Sequence, residues 1–231
     1  MMKKNGFTLA EVLITLAIIG VVAVLTLPAL MTNTAEQQAK TALKKGINTL
    51  TEAAQTNQAI AGFDYASFTS ANDLSKPDDQ SLCGLLSNRA NVDFQKSGKG
   101  SDAKKAANAV GGASNYTVFF RDGSALSFNL ENTEMTKTSG TKANNAMQDD
   151  GLVYGITAVY DTNGEKGPNL LSNCDKNATL KSTAGKDAKD GNDIAKCSSK
   201  ANRVIKDQFG VRLRGGYAVP NGAAARWAFE N

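Results

Sequence analysis

The residues best placed for chemistry lie within the first eleven positions of the chain. A lysine pair, Lys3 and Lys4, precedes Gly6 and Phe7, and Glu11 is the only charge in the apolar run that follows. A cut after Gly6 would give Phe7 a free amine, with Glu11 one helical turn away on the same face. An amine and a carboxylate attract strongly in apolar surroundings, within one chain or between neighbours. The spacing therefore predicts a removable basic leader and an ion pair.

The apolar run from Phe7 to Leu30 has the length of a membrane-spanning helix, and it carries no charge between Val12 and Leu27. A carboxylate at mid-membrane costs about 2.5 to 3.5 kcal/mol, and less toward the interface, so Glu11 needs a partner. The alternative is a solvated Glu11 at the headgroup level.

A secretory signal cut near Thr34 and Ala35 is a second interpretation of this segment. The apolar run is long for such a signal and contains an acid, which signal peptides avoid. The sequence therefore favours a retained helix.

Residues 3–12 read Lys-Lys-Asn-Gly-Phe-Thr-Leu-Ala-Glu-Val, and a run of Ile, Leu and Val follows. This segment resembles the N-terminal signature of type IV pilins and type II secretion pseudopilins. The resemblance implies that a prepilin peptidase cuts between Gly6 and Phe7 and that Phe7 is then N-methylated. It also implies that Glu11 neutralises the Phe7 amine of an adjacent subunit during filament assembly. Pro28 and Gly20 resemble the helix breakers of the family.

After Pro28 the pattern becomes amphipathic, and Pro28 itself predicts a kink or a locally melted segment. Polar residues such as Lys40 occupy one side of the helix. The other side has apolar residues at steps of three and four, namely Ala39, Leu43, Ile47, Leu50, Ala54 and Ala61. The predicted organisation is a leader at 1–6, a membrane and assembly helix at 7–30, an amphipathic half at 31–61 and a globular head at 62–231.

The head shows strand signals after a polar, irregular stretch at 63–114, which we expect to be surface loop. Asp122 and Gly123 join Tyr116–Phe120 to Ala125–Leu130 in a predicted hairpin. Further strands are predicted at Leu152–Tyr160 and near Val211–Val219. The expected fold is α+β and pilin-like, with the long helix packed on an antiparallel sheet of three to four strands.

Histidine is absent from the chain. Its absence excludes His-based acid–base catalysis, triads that use His and His-ligated metal sites. No acidic pair forms a recognisable catalytic motif, so the sequence predicts a protein that is not an enzyme.

The stretch after the third predicted strand could hold calcium. Asp161, Asn163 and Glu165 place side-chain oxygens at alternating positions, and Asp207 could add another oxygen. An EF-hand does not fit, because its twelfth position would be Ser172. Some pseudopilins bind calcium near the sheet, so the resemblance supports the idea; the alternative is a plain Asx and glycine turn.

The three cysteines allow one bridge within the chain. Cys174 and Cys197 flank a polar loop, and a disulfide at its base would stabilise the head by roughly 3 kcal/mol in the chain-entropy model. Pairing of Cys83 with either of them is the competing arrangement. The aromatic pair of Arg226-Trp227-Ala228-Phe229 is more typical of packing than of ligand recognition.

A glycine-rich basic patch at 96–101, with Lys104 and Lys105, could contact DNA, but it lacks aromatics and suits a solvated loop better. Taken together, we expect a structural subunit of a type IV pilus-like or type II secretion pseudopilus filament. It would be held by the cytoplasmic membrane, then displayed in a periplasmic or cell-surface filament, with other pilin-like subunits and an inner-membrane assembly platform as partners. The alternatives are a minor tip pilin that binds DNA or a surface, and a membrane-tethered ligand-binding protein that does not assemble.

Overall fold

The computed structural model describes residues 6–65, 81–99, 115–129, 156–175 and 194–231. These residues belong to two compact units, one ending at Gln38 and the other running from Ala39 to Asn231. The predicted lysine leader, the basic patch beyond residue 99 and the start of the third predicted strand lie outside the described residues.

Helix α1 spans Leu9–Ala61 and is assigned without interruption through Pro28. Its N-terminal part belongs to the first unit, where the apolar side chains are exposed. The kink predicted at Pro28 stays a prediction.

The second unit contains a six-stranded antiparallel sheet in which each strand pairs with the next one along the chain. The strands are β1 at Val92–Lys99, β2 at Asn115–Phe120, β3 at Ala125–Asn129, β4 at Ile156–Asp161, β5 at Gln208–Arg214 and β6 at Tyr217–Pro220. The β2–β3 hairpin is confirmed, and Gly123 takes a φ of +92° in its turn, a conformation that favours glycine. The fold is α+β, as predicted.

The described chain has six strands and not the predicted three to four, and the additional strands lie in two places. The expected loop at 63–114 contains helix α2 at Leu82–Arg89 and strand β1. Ser81 caps α2 through a hydrogen bond from the Gly84 amide. Helix α2 is only 8 residues long, so the spacing of Leu82, Leu85 and Leu86 covers too short a window to predict a helix. The single strand expected near Val211–Val219 is instead a hairpin of β5 and β6, because the chain turns at Gly215, whose φ is +48°.

The apolar face of the sheet packs on α1, as expected. Five residues of α1 belong to the main core, namely Leu43, Ile47, Leu50, Ala53 and Ala54, with side chains from β2 to β6 opposite them. The prediction is wrong for Ala61, which is exposed at the end of α1. It is also wrong for Lys40, which is buried and not on the solvent-exposed face of α1. A third helix, α3, spans Ala223–Glu230 at the C-terminus.

Candidate functional site

The Gly6–Phe7 peptide bond lies ahead of helix α1. Gly6, Phe7 and Thr8 are not helical, and Phe7 is 90% exposed. Among the described residues, no helical structure and no packed side chain covers this peptide bond, so it is open to an approaching protease. The geometry therefore suits cleavage after Gly6.

Thr8 and Glu11 cap the start of α1 by exchanging hydrogen bonds. The Thr8 backbone N–H and hydroxyl donate to Oε2 of Glu11 at 2.8 and 2.7 Å. In return, the Glu11 backbone N–H donates to the Thr8 hydroxyl at 3.3 Å. This is a capping box, in which a threonine at the cap and a glutamate three residues later satisfy each other's amides. The lone carboxylate of the apolar segment thus has partners within its own chain.

The rest of this segment presents a continuous apolar surface. Helix α1 is long and apolar enough to cross a membrane. Large side chains between Leu9 and Met31 are 45–80% exposed. The hydroxyls of Thr15 and Thr26 do not interrupt this surface, because each donates to a backbone carbonyl of the preceding turn. Such a surface needs lipid or another apolar helix around it.

The polar loop after β4 is built around two buried carboxylates, Asp161 and Asp207. Oδ1 of Asp161 accepts the amides of Asn163 and Gly164 at 3.1 and 2.8 Å, and Oδ2 accepts the Gln208 side chain at 2.8 Å. Burial raises the pKa of Asp161 to about 6, and repulsion from Asp207 adds to the shift. The loop thus holds a buried carboxyl group whose pKa lies above that of an ordinary aspartate.

Asp207 holds the far end of the same loop. Its carboxylate accepts the amides of Asn169 and Leu170 at 2.7 and 2.9 Å and the Asn163 side-chain amide at 3.2 Å. Within the described residues, the Oδ1 atoms of Asn163 and Asn169 are buried without a hydrogen-bond partner.

Glu165 does not join the other two predicted calcium ligands. Its carboxylate pairs with Lys96 of β1 at 3.2 Å, while Asp161 points toward Gln208. No group of three or more His, Cys, Asp or Glu residues suited to a metal occurs in the described parts of the chain. Hydrogen bonds of the loop link Asn163 to Asp161 and to Asp207, and Asn169 to Asp207.

The structure pairs Cys174 with Cys197, whose Cα atoms are 4.8 Å apart. Cys83 takes no part in this bridge; it is buried in α2, and burial raises the pKa of its thiol to about 12. A thiol with so high a pKa is unreactive at neutral pH. The structure thus has the favoured pairing, Cys174 with Cys197, and not a bridge from Cys83 to either of them.

Thr8 was not foreseen as a functional residue. Its signal is present in the sequence, because Thr8 and Glu11 have the spacing of a capping box. Lys96, expected in a patch that could contact DNA, instead lies in β1 beside Glu165. Position in a strand and pairing with an acid both reduce its suitability for phosphate binding.

Comparison with known proteins adds one finding to this geometry. A family profile described as the prokaryotic N-terminal methylation motif matches residues 1–27. No characterised protein and no solved structure matches the chain. The matched segment covers the Gly6–Phe7 bond, the Thr8–Glu11 cap and most of the apolar helix surface. The N-terminus of this chain therefore carries the prepilin signature of type IV pilins and pseudopilins.

Proposed function

We propose that this chain is a structural subunit of a type IV pilus-like or type II secretion pseudopilus filament, cut after Gly6 and polymerised through its N-terminal helix. The observation that carries the proposal is the exposed apolar surface of α1, which includes a single carboxylate, Glu11. A membrane covers such a surface before assembly, and neighbouring copies of the same helix cover it in a filament.

Glu11 gives the polymerisation its register. A carboxylate inside an apolar bundle is costly unless it is paired, so the arrangement of subunits that brings a cation to Glu11 is favoured over others. The amine created at Phe7 by cleavage is such a cation. The hydrogen bonds from Thr8 hold the carboxylate until that partner arrives.

The proposed filament role implies particular partners and a particular route for the chain. A prepilin peptidase removes the leader while α1 spans the cytoplasmic membrane, and an inner-membrane assembly platform then adds the subunit to a periplasmic or cell-surface filament. The role is structural rather than enzymatic.

The test is the N-terminal peptide of the mature native protein, determined by mass spectrometry. A peptide that begins at N-methylated Phe7 supports prepilin processing. A start near Ala35 would indicate an ordinary secreted protein, and an intact Met1 a tethered one; both would overturn the proposal. Salt-dependent DNA binding by filaments would assign the subunit to a tip that captures DNA.

Calcium binding by the loop after β4 is a second proposal. Its support is that the side-chain oxygens of Asn163 and Asn169 are buried without a hydrogen-bond partner among the described residues. Both residues also donate N–H groups to the carboxylates of Asp161 or Asp207. Carboxylate and amide oxygens are the donors that calcium prefers. When bound, the ion would neutralise the two carboxylates and tie the loop to the start of β5.

The matched variants for this second proposal are Asp207→Asn and Glu165→Gln. Calcium should raise the melting temperature of the wild-type chain and of Glu165→Gln over samples in chelator, and should leave Asp207→Asn unchanged. Equal melting temperatures of the wild-type chain with calcium and with chelator would contradict the site.

A further inference from the structure

Trp227 of the C-terminal helix α3 is contacted by two cations from distant parts of the chain. Nζ of Lys40 in α1 lies 3.9 Å from the centroid of the ring, and the guanidinium carbon of Arg203 lies 3.6 Å from it. Lys40 is only 6% exposed, so its contact with the ring is largely shielded from water. Cation–π contacts become stronger when water is excluded. Trp227 thus joins α3 to α1 and to the chain that follows Cys197.

Arg203 is positioned by the disulfide segment. Its Nη1 donates to the backbone carbonyl of Cys197 at 2.9 Å, and Cys197 is bonded to Cys174. The neighbouring residues Val204 and Asn173 exchange backbone hydrogen bonds at 2.8 and 2.9 Å. The disulfide and the hydrogen bond from Arg203 thus meet at Cys197, the last residue of the short 3₁₀ turn at Ile194–Cys197.

Helix α3 also packs directly on the disulfide. Cys174 and Cys197 form a small buried cluster with Ala223 and Ala224 of α3, separate from the main core, and Trp227 packs against this cluster. Ala225 and Ala228 of the helix belong to the main core, and Trp227 and Phe229 pack against it. A helix of 8 residues is not stable by itself, so its docking depends on these contacts.

We propose that the Cys174–Cys197 disulfide keeps the C-terminal helix α3 docked on the head, so that the redox state of the two cysteines controls this docking. With the bridge closed, the disulfide cluster and Arg203 hold α3 so that Trp227 rests on Lys40. With the bridge open, the turn at Ile194–Cys197 is released, Arg203 leaves the ring, and α3 detaches from α1. The sheet persists, because its strand pairing and main core do not include the bridge.

The redox step balances as a thiol–disulfide exchange. Closing the bridge removes one proton from each of the two thiols and two electrons from the pair. A protein disulfide of the oxidising compartment accepts them and becomes a dithiol. The head would therefore complete its packing only after it leaves the cytoplasm. Docking of α3 concerns the head alone, so its test does not depend on whether the chain assembles into filaments.

Trp227 is the only tryptophan of the chain and reports its own environment. The experiment measures acrylamide quenching of its fluorescence in the full-length chain in detergent micelles, before and after treatment with dithiothreitol. Alkylation and mass spectrometry confirm opening of the bridge, and circular dichroism follows the sheet. We expect the quenching constant to rise about twofold on reduction while the sheet signal stays, because the cations no longer shield the ring.

Three variants distinguish release of helix α3 from a general loss of structure. Cys174→Ser/Cys197→Ser should match the reduced wild-type chain and should not respond to dithiothreitol. Arg203→Gln keeps the bridge but should raise quenching part of the way. Lys200→Gln, a change to an exposed residue of the same segment, should leave quenching unchanged.

Two results would overturn the proposal. Unchanged quenching in a chain whose bridge is shown to be open would mean that the disulfide does not hold α3. Loss of the sheet signal together with the rise in quenching would mean that the bridge holds the whole head rather than this helix.

Discussion

Gly46 of α1 lies directly against the phenol ring of Tyr160 in β4, so that a methyl group added at Gly46 would overlap the ring. Tyr160 is buried, and its hydroxyl is hydrogen-bonded to Ser124. The two residues line a cavity of about 190 Å³ between α1 and the β2–β3 turn. This close approach explains a glycine within a helix, where it otherwise costs roughly 1 kcal/mol relative to alanine.

The first prediction is that Gly46→Ala destabilises the head by about 1 kcal/mol. Overpacking of this kind costs about 1 to 3 kcal/mol, which outweighs the gain in helix propensity. The measurement is the free energy of unfolding of the full-length chain in micelles, followed by tyrosine and tryptophan fluorescence in denaturant.

Tyr160→Leu provides the control for this prediction. In that background the phenol ring is gone, and Gly46→Ala should become stabilising through helix propensity alone. A destabilisation of equal size in both backgrounds would show that Tyr160 is not the cause.

The sequence predicted the parts of the fold that rest on strong local patterns. The buried face of α1 followed from spacing, because Leu43, Ile47 and Leu50 recur at the helical period. The hairpin followed from Asp122 and Gly123, whose residue types suit a tight turn. Both patterns depend on neighbours in sequence, so the chain alone displays them.

The features that were missed depend on contacts between distant segments. Lys40 is charged and was therefore expected on the solvent-exposed side of α1. The fold instead brings Trp227 from the far end of the chain to cover it. Asp207 becomes part of the loop after β4 only because β4 and β5 are paired. Strand β1 has few apolar residues, so its polar composition predicted loop.

The second prediction concerns the cap of α1. Thr8→Val keeps the shape of the side chain but removes the hydroxyl that bonds to Glu11, and loss of such a cap costs about 1 kcal/mol of helix stability. Hydrogen exchange of the first amides of α1, measured in micelles, should become several-fold faster. Thr8→Ser retains the hydroxyl and should exchange as the wild-type chain does. Equal exchange in Thr8→Val and the wild-type chain would mean that the cap does not hold the helix start.

The third prediction concerns assembly. Glu11→Ala should abolish incorporation into filaments while leaving the head folded, because the Phe7 amine of a neighbour then lacks its counter-charge inside the apolar bundle. Filaments sheared from cells and examined by immunoblot give the measurement, with membrane-retained subunit as the reference. Glu52→Ala is the matched control, since Glu52 is an exposed residue of the same helix. Normal incorporation of Glu11→Ala would favour a tethered protein that does not polymerise.

The fourth prediction follows from the buried carboxyl of Asp161, whose pKa is raised to about 6 by burial and by Asp207. Because this pKa lies above the value of an unfolded aspartate, near 4, the folded state binds the proton more tightly. The stabilisation from protonation is therefore fully present below about pH 4 and is lost as the pH rises through about 6. Asp122 does not interfere in this window. Burial alone would raise its pKa, but hydrogen bonds from Lys45 and Ser124 lower it overall.

Unfolding free energies measured in chelator at pH 7.5 and pH 5 test this assignment. Relative to Asp161→Asn, the wild-type chain should gain on the order of 1 kcal/mol at the lower pH. Asparagine suits the comparison because its oxygen can still accept the Asn163 and Gly164 amides, and Gln208 can turn its own amide to accept the new donor. Parallel pH profiles for the two chains would show that the Asp161 carboxyl keeps an ordinary pKa in the folded state. Calcium should then reverse the trend in the wild-type chain only, because an ion bound to the carboxylate favours its charged form and competes with the proton.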